Sequence, residues 1–276
     1  MTHTVRVAAV QMVSTMDVGA NLQDAGNLIE QSAAAGARLV VLPENWHLMG
    51  LSERDKLSCR EEYGRGPLQE FLAAQARSFG IWLMGGTIPL AAEGTERVYN
   101  SCLLFDPAGH CAARYDKIHL FDVSVDDNNN EKYRESDTIV PGRDITVAKT
   151  PLGNIGMSIC YDIRFPELYR KMLDSGISII IVAAAFTDTT GKQHWKTLLR
   201  ARAVENLCYL IAAGQGGRHN EKRETWGHSM IIGPWGDILA SMEKGPGFIC
   251  ADLDLRHLSV LRKTFPALEH SILVNS

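Results

Sequence analysis

No long hydrophobic run occurs in this chain. Its longest apolar stretch, Ile177 to Phe186, is ten residues and includes a serine, about half of the ~20 residues a membrane span needs. The six cysteines (Cys59, Cys102, Cys111, Cys160, Cys208, Cys250) contain no Cys-x-x-Cys pair, and most are expected to be reduced core fillers. Neither sign of charge dominates: the net charge is −4 and no basic stripe forms, so nucleic acid is not an expected partner. Gly85-Gly86 and Gly214-Gln-Gly-Gly lack the spacing of a dinucleotide or phosphate loop. His194 and His228 stand singly, without metal-ligand spacing, so no metal is expected. The first residues enter a strand pattern at once. No signal peptide is therefore expected, and the expected compartment is the cytoplasm, with reduced cysteines.

What is present is an ordinary globular composition, 45% hydrophobic and 22% charged over 276 residues, with no Pro/Ser-rich linker. One domain spanning 1–276 is expected. Strand Val5–Met12 precedes a helix from Asn21, its predicted N-cap, to about Ala35, where Gly36 stops it. Strand Arg38–Leu42, a helix opened by Pro67, and strand Ile81–Ile88 follow. Strands near Ser101–Phe105 and Cys111–Tyr115 flank the turn Asp106-Pro-Ala-Gly-His. The second half repeats the grammar: strand Gly156–Cys160, helix Pro166–Ser175, strand Ile177–Ala184, helix His194–Asn206, strand Tyr209–Gly214, and a hairpin of Ser229–Ile232 with Ile238–Ser241. Two halves of like order predict two sheets packed face to face, each covered on its outer face by helices. The polar stretch between Phe121 and Glu135 has no periodicity, and a solvated loop is expected over Asp126–Asn130.

Three residues sit at ends of apolar strands: Glu44 after Leu39-Val-Val-Leu-Pro, Lys117 in Tyr115-Asp-Lys-Ile-His-Leu-Phe, and Cys160 before Tyr161-Asp-Ile-Arg-Phe-Pro-Glu. A thiol at a strand-to-helix turn lies near unpaired amides, which favour thiolate. A carboxyl in a poorly hydrated place is expected to titrate closer to neutrality, where it takes and returns protons. A fixed ammonium supports a developing oxyanion. Each position alone also has a bland reading: a strand end for Glu44, a snorkelling edge residue for Lys117, a core filler for Cys160.

Together, Leu42-Pro-Glu44, Tyr115-Asp-Lys117-Ile-His-Leu-Phe and Cys160-Tyr-Asp-Ile-Arg-Phe-Pro-Glu strongly resemble the nitrilase superfamily of carbon–nitrogen hydrolases, from Val5 to about Phe265. The resemblance implies an α/β fold, a four-layer α-β-β-α sandwich of two mixed sheets. It also implies a Glu44–Lys117–Cys160 triad joined by a second glutamate, Glu135. In that chemistry Glu44 takes the Cys160 proton, sulfur attacks an amide carbon, and Lys117 with the Tyr161 backbone N–H holds the oxyanion. A thioester forms and is hydrolysed, without any cofactor. The superfamily often assembles through helices near the site, which implies a homodimer.

Within the superfamily, Ala185-Phe-Thr-Asp-Thr-Thr-Gly-Lys-Gln-His-Trp and Gly217-Arg-His-Asn-Glu-Lys-Arg resemble the branch of deaminated glutathione amidases, with the omega-amidases close by. Both imply a 2-oxo-acid amide as substrate. The basic run is either an exposed charged loop or a lip that grips a remote carboxylate through Arg218, Lys222 or Arg223. The loop Asp126-Asp-Asn-Asn-Asn-Glu departs from the shorter turn expected there, which bears on the pocket mouth. A non-catalytic scaffold and a thiol redox protein are the rivals from other classes. Amide rather than nitrile chemistry is expected from the whole-chain resemblance.

Overall fold

The computed structural model describes residues 4–125 and 131–272. The first half runs β1 (Thr4–Gln11), α1 (Val18–Ala34), β2 (Leu39–Val41), α2 (Pro67–Phe79), β3 (Trp82–Met84), β4 (Ile88–Ala91), β5 (Val98–Phe105) and β6 (Cys111–Asp116). A small ribbon follows, β7 (Asp122–Val125) with β8 (Glu131–Arg134). Then come β9 (Val147–Thr150), β10 (Gly153–Ile159), α3 (Pro166–Leu173), β11 (Ile179–Ala184), α4 (Asp188–Asn206), β12 (Tyr209–Gly214), β13 (Met230–Ile232), β14 (Ile238–Ser241), β15 (Gly247–Asp254) and α5 (Leu255–Thr264).

Two mixed sheets result. One has the order β15-β1-β2-β3-β5-β4 with β6 paired to β5; the other is β14-β13-β12-β11-β10-β9. The alternation of side chains decides how they stack. Along β1, Val7 and Ala9 join the core between the sheets, where Met157, Ile159, Ile181 and Leu253 also lie. Ala8 and Val10 point the other way, into a second core with Ala25, Ile29, Leu68 and Leu72 from α1 and α2. Leu39 and Val41 against Val40 repeat the split one strand over. Each fully buried aliphatic side chain stabilises by about 1.5–3 kcal/mol, whereas an exposed ion pair such as Arg6–Asp252 contributes about 0–1 kcal/mol. The sandwich is therefore set by apolar patterning. Both sheets and their covering helices form the four-layer α-β-β-α architecture.

Several elements depart from the sequence expectation. Helix α1 starts at Val18, and its N-cap is Asp17, whose Oδ1 accepts from Ala20 N at 3.0 Å. Asn21 is instead buried inside the first turn, its Nδ2 donating to Thr15 O and His47 O at 2.9 Å. This capping-type side chain fastens the segment beyond Glu44 instead of the helix end. The strand expected over Ile81–Ile88 is two strands. Gly86 breaks it with φ of 55°, and a Cβ there would stand 2.1 Å from Pro43 O. Helix α4 begins six residues before His194, at Asp188, capped by Thr187. The polar stretch after Phe121 contributes β7 and β8, paired antiparallel. The solvated loop expected over Asp126–Asn130 lies outside the described residues. No helix among the described residues is long and apolar enough to cross a membrane.

Candidate active site

Cys160 stands one residue past β10, at the start of a 3-10 turn, Cys160–Arg164. Its φ is 46°, a left-handed conformation that costs a non-glycine residue about 1–3 kcal/mol and persists only where surroundings over-determine it. Asp162 supplies part of that constraint by accepting from Ile159 N at 2.9 Å. Glu44 comes from the turn after β2, where Pro43 packs on Gly86 and the Glu44 carbonyl accepts from Gln215 Nε2 at 3.2 Å. Lys117 leaves the end of β6, its backbone N–H donating to Asn100 O at 3.0 Å. Glu135 opens a short 3-10 turn after β8.

These four side chains are all buried and converge. Lys117 Nζ donates to Glu44 Oε1 at 3.0 Å and to Glu135 at 2.9 Å. Glu135 Oε2 also accepts from Phe121 N at 2.7 Å. Glu44 Oε1 accepts from Asn100 Nδ2, and Oε2 from Ala185 N, both at 2.9 Å. The Cys160 thiol opens into the same cleft as Glu44, Lys117 and Glu135. The cleft, with its open mouth included, spans about 460 Å³ and continues past Phe121, Tyr133, Tyr161, Phe186 and Thr190.

The electrostatics reverse two expectations. Burial alone would raise the Glu44 carboxyl, but the Lys117 charge and hydrogen bond, aided by the neighbouring Cys160 thiol, outweigh it, and the group ends below the ordinary carboxylate value. Glu44 is a resting carboxylate. Burial pushes the Cys160 thiol well above 9, reinforced by the Glu44 charge and only partly offset by Lys117 and the Ala185 N–H. The turn amides do not make it a thiolate, because two carboxylates stand in the same desolvated space. Burial would lower Lys117, yet Glu135 and Glu44 hold it well above 10.5 as a fixed cation.

Of the residues read as substrate contacts, Tyr161 and Arg223 line the cleft. Arg218 does not: it is exposed, and its guanidinium donates to Asn220 O and Glu221 O within its own loop. Lys222 is likewise exposed and outside the cleft. Sequence reasoning missed Asn100, which positions Glu44 through its side chain and Lys117 through its carbonyl. An asparagine in a strand that is mostly apolar is the available signal. It also missed Glu53 and Lys56 on the cleft wall, which no local pattern distinguishes from solvated charges. Among the described residues, no group of three or more His, Cys, Asp or Glu is arranged to hold a metal ion.

The family model described as carbon-nitrogen hydrolase matches residues 6–263. The deaminated glutathione amidase of Yersinia enterocolitica is 41% identical over 271 residues, covering 98% of this chain and 94% of the relative. The human deaminated glutathione amidase is 38% identical, over 96% of this chain and 81% of its own length. Among solved structures, Saccharomyces cerevisiae Nit3, a member of branch 10 of the nitrilase superfamily, superposes with a TM-score of 0.87 at 31% identity. That alignment covers 99% of this chain and 97% of the yeast one.

Proposed function

The chain belongs to the carbon–nitrogen hydrolase family and is an amidase; we propose that its substrate is deaminated glutathione, with Cys160 as nucleophile. That compound is a 2-oxo acid whose distal carboxyl is joined to cysteinylglycine by the scissile amide. One observation carries the reading: the buried Cys160 thiol shares one cleft with Glu44, whose carboxyl is held ionised and which Lys117 Nζ contacts at 3.0 Å.

The chemistry follows from the protonation states. Cys160 rests as a thiol, because a free thiolate beside Glu44 and Glu135 is disfavoured. As its sulfur bonds to the amide carbon, the S–H proton passes to Glu44, so thiolate charge never accumulates. The carbonyl oxygen becomes an oxyanion, held by Lys117 and the Tyr161 N–H at the head of the 3-10 turn. Glu44 then hands its proton to the amide nitrogen, the C–N bond breaks, and cysteinylglycine leaves a thioester behind. Water, deprotonated by Glu44, attacks the thioester; 2-oxoglutarate departs and the proton returns to sulfur. Glu135 keeps Lys117 charged and aimed.

Burial also counts against the redox rival, since redox-sensing cysteines are exposed and have low pKa values. A homodimer in the cytoplasm completes the proposal. It is supported by six unpaired cysteines and by an exposed apolar pair, Trp235 against Phe265; light scattering checks the assembly.

The test is 2-oxoglutarate release from deaminated glutathione, beside 2-oxoglutaramate and a simple nitrile, with Cys160→Ala as control. Fastest turnover of deaminated glutathione is expected, falling by more than about 10⁴-fold in the variant. Preference for 2-oxoglutaramate overturns the substrate but not the nucleophile.

A further inference from the structure

Three carboxylates and three cations line the cleft, and they form two groups. Glu44, Lys117 and Glu135 make the first, which carries −1 while Cys160 is a thiol. Glu53, Lys56 and Arg223 make the second, which carries +1: Lys56 Nζ meets Glu53 Oε2 at 2.6 Å, and Arg223 Nη1 meets Oε1 at 3.2 Å. Neutral as a whole, the cleft is polarised. An amide that carries a carboxylate at its far end finds matching charge only when the amide lies at Cys160.

The second group is built rather than incidental. Arg223 projects from a turn in which Asn220 Oδ1 accepts from Lys222 N and Arg223 N at 2.9 and 3.0 Å. His219 pins that turn between Ser14 O at 2.8 Å and Thr225 Oγ1 at 2.7 Å. Asn220 Nδ2 reaches Gly50 O at 3.3 Å, tying the turn to the segment that carries Glu53 and Lys56. The Lys56, Arg223 and Glu53 side chains are only 11%, 22% and 26% exposed. Arg223 lines the cleft and gives Nη1 to Glu53, and its guanidinium carries further N–H donors beyond that one. A single shared carboxylate leaves donors on both cations for one more anion.

We propose that Lys56 and Arg223, spaced by Glu53, form the receptor for a substrate carboxylate and so select anionic over neutral amides. This rests on the amidase reading above. The receptor takes either the carboxylate of the 2-oxo acid or that of the glycine tail, two sources the experiment separates.

Arg223→Gln, Lys56→Gln and the conservative Arg223→Lys are compared with wild type on four amides: deaminated glutathione, its cysteinylglycinamide derivative, 2-oxoglutaramate, and the neutral valeramide. The ratio of kcat/KM for an anionic amide to that for valeramide is expected to fall about 10- to 100-fold in the glutamine variants, mainly through KM, with partial recovery in Arg223→Lys. A fall shared by all three anionic amides identifies the 2-oxo acid carboxylate; a fall confined to deaminated glutathione identifies the tail. An ion pair that merely ties two loops together lowers all four rates alike, and that result, or unaltered ratios, overturns the receptor. Calorimetry gives a second readout: with Cys160→Ala protein, binding of 2-oxoglutarate or of cysteinylglycine weakens at least ~10-fold on adding Arg223→Gln. If wild type ignores all three 2-oxo amides yet prefers glutaramate, assayed beside them, to valeramide, the substrate reading fails while the receptor stands. If it cleaves deaminated glutathione with a selectivity that neither variant alters, the receptor fails alone.

Discussion

Asp162 Oδ1 lies 2.7 Å from His119 Nδ1 and 3.0 Å from the His119 backbone nitrogen. Its other oxygen accepts from Tyr115 Oη at 2.8 Å and from Ile159 N at 2.9 Å. Tyr115 and His119 flank Lys117 at two residues on either side, and Asp162 follows Cys160 by two. One fully buried carboxylate therefore ties the segment bearing the ammonium to the turn bearing the thiol. Stacking of His119 on Phe165, with centroids 3.7 Å apart, closes the joint.

Asp162→Asn is expected to cut kcat about 10- to 100-fold with KM moving far less, because an amide nitrogen must face donors on one side. Steady-state kinetics together with iodoacetamide labelling of Cys160 in the folded protein check this. A proportional loss of folded protein, with normal kcat per folded molecule, contradicts the positioning role.

The raised Cys160 thiol makes alkylation slow at neutral pH, with a midpoint above the ordinary value of 9. Because the Glu44 charge contributes to that rise, Glu44→Gln lowers the midpoint while abolishing turnover. Lys117→Met moves it upward, since Lys117 is what partly offsets the rise. Mass-spectrometric labelling of Cys160 between pH 7 and 11 reads all three.

Gly86→Ala is expected to destabilise by about 2–4 kcal/mol. The backbone there has φ of 55°, and the added methyl meets Pro43 O at 2.1 Å. The displaced Pro43 precedes Glu44, so kcat falls as well. Urea unfolding at matched pH, with activity on the same samples, measures both.

His47 is held neutral down to about 3, first by burial and then by the Lys56 charge. A folded value depressed from 6.5 gives stability that is full above 6.5 and is lost as pH falls toward 3. Replacing His47 with Leu removes that titration and flattens unfolding free energy against pH across this window. An unchanged slope between pH 6 and 4 contradicts the assignment.

Much of the fold is written in periodicity. Strand Tyr209–Gly214 has the bounds its apolar run predicts, and Pro67 opens its helix as a proline at N1 should. Such signals are local, arising from residues two to four apart, so a linear reading recovers them. The same holds for the kinds of residue at strand ends, which single out Glu44, Lys117 and Cys160, whereas Glu135 is legible only through the family resemblance.

Tertiary structure decided the rest. Pairing of β15 with β1, Thr4 opposite Asp254, joins segments that no local pattern relates. Gly86 breaks a strand where Pro43 passes over it, and Asn21 lies inside a helix capped by Asp17, its side chain spent on Thr15 O and His47 O. The protonation of Glu44 and Cys160 reversed expectation for the same reason. Burial alone pushes both groups upward, and the sign that survives at each depends on charges delivered from distant strands. Which arginine faces the cleft, Arg223 rather than Arg218, was settled by a turn pinned through His219 to Ser14. The sequence by itself determined the elements and the chemical types available; the fold determined their distances, and electrostatics depends on distance.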